Sequence, residues 1–273
     1  MTVLAATATK DPERVAALPW FRDILRAEFI KLASVRSTFW TLATVVLSNT
    51  ILAALAAVFL ASRLQGEQAA KDPVRLSLLG LHISQLAIVV LGVLVVTGEY
   101  SSGLIRATLA AVPQRRTVLA AKTLAFTATA LVVGVTASFA AYAAFQAFLS
   151  GTATAMKLSL GDPGVLRAVV GGGLYLTVLG LLGLGLGAAL RSSAGGIAAT
   201  LGLLMVPTIL LSMLPQNWQT TIGPYIPMQA GDAIYSLNAE AGSLSTWNGL
   251  GVFSLYAALA LTAGFWVIRR RDA

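Results

Sequence analysis

Apolar residues in this chain come in long runs, separated by shorter stretches that hold nearly all of the charge. Six runs reach the roughly 20 residues that a helix needs to cross a bilayer: residues 39–60, 78–97, 123–149, 168–190, 194–214 and 247–268. The pattern predicts an all-α integral membrane protein with six transmembrane helices. They fill the 273 residues as a single transmembrane domain and leave no room for a second, soluble one. Residues 1–17 are polar and lack the apolar core of a signal peptide, so they read as a cytoplasmic tail. Over residues 18–37, Trp20, Phe21, Ile24, Leu25, Phe29 and Leu32 share one helical face while Arg22, Asp23, Arg26 and Lys31 lie elsewhere. That spacing predicts an interfacial amphipathic helix lying on the membrane surface.

The stretch between the second and third runs, residues 97–122, holds Glu99, Arg106, Arg115, Arg116 and Lys122. Ser101 and Ser102 can cap a helix, and Leu104, Ile105, Thr108, Leu109 and Val112 recur at three- and four-residue spacing until Pro113 ends the pattern. A short amphipathic helix at the membrane surface is one reading, and a solvated turn on the lipid headgroups is the other. The fourth run is rich in glycine, with Gly183 and Gly187 forming a G-x-x-x-G pair. It predicts close helix packing, either inside the chain or along a seam between copies. In the fifth run, Pro207 is a candidate kink. Residues 215–246 place Trp218, Tyr225 and other apolar side chains between breaks at Pro215, Gly223, Pro224, Pro227 and Gly231. Such a segment suits a hairpin that re-enters the membrane, or an external cap.

Composition agrees with the pattern: 57% of residues are hydrophobic, 11% are charged and the mean hydropathy is +0.80. A net charge of +8 would suggest nucleic acid in a soluble protein, but here the positions of the basic residues account for it, and no nucleic-acid partner is expected. One side of the six runs carries fourteen Lys and Arg and the other five, so the richer side, with both termini, is expected in the cytoplasm of a multi-pass cell-membrane protein. The chain has no cysteine and one histidine, His82, which leaves no thiolate or histidine metal site. No Asp, Glu, Lys or Arg falls within the six runs, and His82 sits at the start of the second; Asn49, Gln85 and Gln146 are polar but carry no charge. Ion-coupled transport, which usually needs an intramembrane ionisable group, is thereby weakened. No phosphate-binding loop of the G-x-x-x-x-G-K-[ST] type occurs, and nothing resembles the nucleophile and base, or metal cluster, of an enzyme.

The order Glu99, three residues, Gly103, an apolar pair, Arg106, then Leu109, Pro113, Arg116 and Lys122 resembles the cytoplasmic loop of ABC-2-type exporter membrane subunits. Residues 28–37, EFIKLASVRS, are similar to the N-terminal segment of that family, and the order of spans is similar too. Leu104 departs from the threonine that often follows the glycine. The resemblance implies the permease subunit of an exporter, itself without enzymatic activity or cofactor, whose ATP and Mg sit on a separate ATPase chain. Its loop would form a coupling helix, with Leu104, Ile105, Leu109 and Val112 filling a cleft on that ATPase. Arg106, Arg115 and Arg116 would pair with acids at the rim, and Glu99 would brace the loop against one of those arginines. The resemblance also implies a second permease copy or homologue, and the re-entrant form of the segment holding Trp218, Tyr225 and Pro227. Apolar or amphipathic cargo is the substrate expectation. An ion-coupled transporter or channel-like protein without an ATPase is the alternative.

Overall fold

The computed structural model describes residues 21–60, 72–149, 157–238 and 242–270. The tail over 1–17 and Trp20 lie outside the described residues. Among these residues there are helices and no strands. Six of the helices are long and apolar enough to cross a membrane, the architecture of a multi-pass membrane protein. A first helix, α1 (Phe21–Ser34), precedes α2 (Arg36–Leu55), which continues as a π-helical turn through Leu60. After α3 (Pro73–Ser77) come α4 (Leu81–Ser101), α5 (Leu104–Ala111), α6 (Arg115–Phe148), α7 (Val165–Leu190) and α8 (Ser193–Ser212). Two short helices, α9 (Gln216–Ile222) and α10 (Pro227–Asp232), lead to α11 (Thr246–Arg270).

The long helices agree with the apolar runs, but the charged stretch between the second and third is far shorter than its charges suggest. Helix α4 extends to Ser101 and α6 begins at Arg115, so Glu99 and Lys122 sit on spanning helices and not in a loop. At 1.5 Å per residue, the 34 residues of α6 reach roughly 51 Å, well beyond the hydrocarbon of a bilayer. Helix α8 runs through Pro207 without interruption.

Helix α7 is the axis of the bundle, with 72% of its apolar stretch buried against 22% for α8. Its lack of side-chain bulk makes this possible. A Cβ on Gly92 of α4 would lie 2.2 Å from the Gly180 carbonyl oxygen, and one on Gly185 would lie 2.6 Å from the backbone of Ala260 in α11. Gly183 and Gly187 face Val89 and Val93 of α4. The glycine pair is thus used within the chain and does not form a seam between copies. Between the helices, Asn49 donates to the Val45 carbonyl (3.0 Å) and to Ser84 Oγ (2.6 Å). Gln85 accepts from the Tyr175 hydroxyl at 2.8 Å. These intrahelical and interhelical bonds satisfy polar groups that the core would otherwise penalise, although Asn49 Oδ1 is buried without a partner.

At the end where α7 and α11 begin, Arg167 donates to the carbonyls of Ile234 (3.1 Å) and Ser236 (3.0 Å) and to Thr246 Oγ1 (3.0 Å). Asp72 accepts from Leu237 N (2.7 Å) and Ser236 Oγ (3.0 Å). These bonds hold α10 and the chain after it among α3, α7 and α11. Helix α5 lies at the opposite end.

Close backbone contact at α4 and α7 predicts that Gly92→Ala lowers the stability of the purified protein by about 1–3 kcal/mol or prevents folding. Gly202→Ala, which meets open space, should be neutral. Thermal unfolding in detergent compares the two, and equal melting of both variants would contradict the packing.

Candidate functional site

Helix α4 ends through its own serines. Ser101 and Ser102 donate to the Gly98 carbonyl at 3.1 and 2.7 Å, so they close α4 and do not cap α5, as the sequence suggested. Gly103 then turns the chain with φ of 71°, a conformation that disfavours side chains. Without a side-chain cap, α5 follows.

The apolar positions of α5 divide between two surroundings. Ile105 is buried, and Val112 just beyond α5 packs with Ile24 of α1 and with Val118 and Ala121 of α6. Leu104 is 47% exposed, Arg106, Ala107 and Ala110 are exposed, and Leu109 is half-buried. Ile105 and Val112 are therefore part of this chain's own core, and the outward surface is Leu104 with Arg106 and the alanines. Arg116 is exposed and Arg115 half-buried at the start of α6.

Helix α1 shows the same division. Ile24 is buried and Leu25 and Leu32 are half-buried, while Phe21 and Phe29 face outward. The buried face of α1 also carries a charge: Glu28 is only 2% exposed. It sits four residues after Ile24, on the same helical side. Reading the apolar residues alone missed it, although its i, i+4 spacing from Ile24 is visible in the sequence.

Glu28 belongs to a four-residue ion cluster that joins α1, α4 and α6. Lys122 of α6, 4% exposed, donates to Glu28 Oε2 at 2.6 Å and to Glu99 Oε1 at 2.9 Å. Lys31 of α1 donates to Glu28 Oε1 at 2.7 Å and to Glu99 Oε1 at 2.8 Å. Glu99 is thus held by two lysines and not by one of the arginines. The choice is geometric: Lys122 lies two turns inside α6, level with the end of α4, whereas Arg115 and Arg116 lie at the helix start. Two carboxylates and two ammonium groups make the cluster neutral, which is what allows it to be buried. Glu99 Oε2 is buried without a hydrogen-bond partner. Burial works to lower the Lys31 pKa, but hydrogen bonds and attraction from Glu28 and Glu99 outweigh it, and the ammonium is held above its ordinary value.

On its other side the end of α4 is held by the turn between α7 and α8. Ser193 Oγ donates to Thr97 Oγ1 at 2.8 Å. Arg191, in the left-handed region with φ of 53°, places its guanidinium 5.2 Å from the centre of the Tyr100 ring. The segment that leads into α5 is therefore fixed to α1 and α6 on one side and to the α7–α8 turn on the other. Among the described residues no group of three or more His, Cys, Asp or Glu could hold a metal ion.

The remaining sequence-predicted residues lie at the other end of the bundle: Trp218 and Tyr225 are exposed, and Pro227 is buried at the start of α10. The sequence matches no protein-family model and no curated protein.

The cluster makes unequal predictions for its two lysines. Lys122→Met leaves two buried carboxylates to one partly exposed lysine and should cost about 3–5 kcal/mol. Lys31→Met should cost clearly less, because the Lys31 side chain is 32% exposed and water can replace it. Melting of the purified variants checks the order, and a smaller loss for Lys122→Met would contradict it.

Proposed function

We propose that this chain is the membrane subunit of an ABC-2-type exporter and that α5 is the element on which a separate ATPase acts. The observation that carries the reading is the buried ion cluster. It fastens both helices flanking α5 to each other and to α1, so a displacement imposed on α5 is passed to the spans and not absorbed in a loose loop. The outward surface of α5, an exposed Leu104 beside Arg106 and small alanines, suits a shallow cleft with acids at its rim. Arg115 and Arg116 extend that basic surface.

Orientation follows from charge. The α5 end carries Arg22, Arg26, Arg106, Arg115, Arg116, Arg191, Arg269 and Arg270, and the other end Arg75, Lys157 and Arg167. The α5 end is accordingly cytoplasmic, in the cell membrane, with α1 lying on the inner leaflet. At the outer end, the Tyr235 ring meets Tyr175 at 5.5 Å. Tyr175 is ten residues into α7, roughly 15 Å along the helix. A chain segment packed that deep among α7 and α11 fits a re-entrant hairpin better than an external cap, although α9, with exposed Trp218, forms its outer part. The apolar outer faces of α2 and α8, including Trp40, Ile51, Ile209 and Met213, suit lipid and a second copy or homologue. The cargo is read as apolar or amphipathic.

A transporter without an ATPase is the second reading. It draws on Glu99 and Lys122, buried ionisable residues on spanning helices.

Two experiments decide. The chain has no cysteine, so single cysteines can be placed at Gln114 and Gln216. In intact cells an impermeant thiol reagent should label Gln216→Cys and spare Gln114→Cys, and the reverse would overturn the orientation. For the coupling role, the complex isolated from its native membrane should contain a P-loop ATPase whose hydrolysis responds to the permease. Leu104→Asp should cut ATPase recovery by about tenfold or more, by carrying a carboxylate into an apolar contact. Arg106→Glu should cut it less and in a salt-dependent way. Equal recovery in Leu104→Asp and wild type, with both normally inserted, would remove the exporter reading. Gradient-driven transport by the chain alone in vesicles would establish the second.

A further inference from the structure

At the end of the bundle opposite α5, a cavity of about 370 Å³ lies between the end of α8, helices α9 and α10, and the start of α11, and its two charges, Arg75 and Asp232, already face each other at 4.0 Å. The charges around α1 are placed differently. Glu28 is buried and accepts from Lys31 and Lys122, so it offsets nothing on the outward side of α1. That side carries Arg22 and Arg26, and α2 begins on Arg36. All three arginines are exposed and make no ion pair among the described residues. Asp23 is the one exposed carboxylate of α1, so the outward charge is positive.

These positions fall in rows. Arg22, Arg26 and Ile30 follow at four-residue intervals along α1, while Arg36, Trp40, Leu47, Ile51 and Leu55 follow at four- and seven-residue intervals along α2. Each set therefore shares one helical face, and every member of it is exposed. Trp40 is 67% exposed, and its ring meets that of Phe39, also exposed, edge-on at 5.7 Å. The rows meet at Val35, whose extended backbone (φ −83°, ψ 115°) separates the two helices. Measured from Arg36, Trp40 lies roughly 6 Å and Ile51 roughly 22 Å along the axis of α2. One leaflet with its headgroups is roughly 20–22 Å deep. The face thus presents cations, then aromatic rings, then an aliphatic stripe over the depth of one leaflet, which is the order of groups in a phospholipid. A soluble acidic protein would reach the arginines but not Leu47 or Ile51. A second copy of the chain on the same face would set arginine against arginine.

We propose that the face running from α1 onto α2 is a site for an anionic phospholipid, with Arg36 on the phosphodiester, Trp40 at the glycerol level and the acyl chains along Leu47 and Ile51. Arginine suits the first task because its planar fork donates two parallel hydrogen bonds to a phosphate. Arg22 and Arg26 select the headgroup: they favour one without a cation of its own and repel the quaternary ammonium of phosphatidylcholine. The inference rests on the bundle spanning a bilayer, and on neither its orientation nor an ATPase.

The test gives the full chain, purified in detergent, an equimolar mixture of phosphatidylglycerol and phosphatidylcholine with the same acyl chains, and reads the first lipid retained by native mass spectrometry. Phosphatidylglycerol should be preferred by about tenfold or more, since each basic residue near an anionic headgroup contributes about fivefold, and added salt should shrink the preference. Arg26→Gln combined with Arg36→Gln should bring the ratio close to one. Arg269→Gln combined with Arg270→Gln removes the same charge from exposed positions on α11 and should keep most of the preference. All four positions are exposed, so both variants should melt as the wild type does. Equal retention of the two lipids by the wild type, an unchanged preference in the Arg26 and Arg36 variant, or an equal loss in the α11 variant would each overturn the proposal. So would efficient disulfide-linked dimers through Trp40→Cys in membranes, which would assign the face to a second copy.

Discussion

Burying four charges between three helices at one end of an apolar bundle is the constraint to which the rest of this structure answers. A lone carboxylate or ammonium group taken out of water costs several kcal/mol, and only close, well-directed partners offset it. Glu28, Lys31, Glu99 and Lys122 meet within 2.6–2.9 Å, which is possible only if α1, α4 and α6 hold one register. The cluster is thus a weak source of net stability and a strong source of specificity: most other arrangements of these helices would strand a charge. It also explains why the helices extend past their apolar runs, since paired charges no longer demand a loop in water.

The glycine-rich axis supplies the complementary constraint. Backbone contact along α7 brings α4, α6 and α11 close enough that dispersion and short polar bonds hold them where no hydrophobic effect operates between lipid and protein. Burial falls from 72% along α7 to 28% in α2 and α11 and 22% in α8, so the packing loosens from the axis outward. The two ends then differ in kind. One is basic and locked by ion pairs around α5; the other is polar, shaped by Asp72 and Arg167, and contains an open cavity.

The six spans were legible in the sequence because each is an unbroken apolar run, and transfer to hydrocarbon depends on little beyond composition and length. Gly183 and Gly187 were legible as a signal of close packing, and Pro227 as a break; that this break opens α10 is added by the structure. What the pattern could not reveal was partnership across sequence distance. Glu28 and Lys122 are 94 residues apart, and neither alone distinguishes a solvated charge from a buried one. Ile105 and Val112 fit the outward face of a short helix by spacing, yet both are buried, Val112 against α1 and α6. Ser101 and Ser102 precede α5 in the order of a cap, but the α4 carbonyl of Gly98 is the nearer partner. The cavity joins Arg75 to Asp232 across a still longer stretch of sequence and left no local trace.

The central claim is that the charges of α1 and α6 act as one unit around α5, and a double-mutant cycle between Glu28 and Lys122 tests it most directly. Unfolding free energies of Glu28→Gln, Lys122→Met and the double variant, measured on the purified chain, should reveal a coupling of about 1–3 kcal/mol, the double variant being less damaged than the two single losses combined. Losses that add to within about 0.5 kcal/mol would mean that the two residues do not sense each other, and that α5 is not held in the way described.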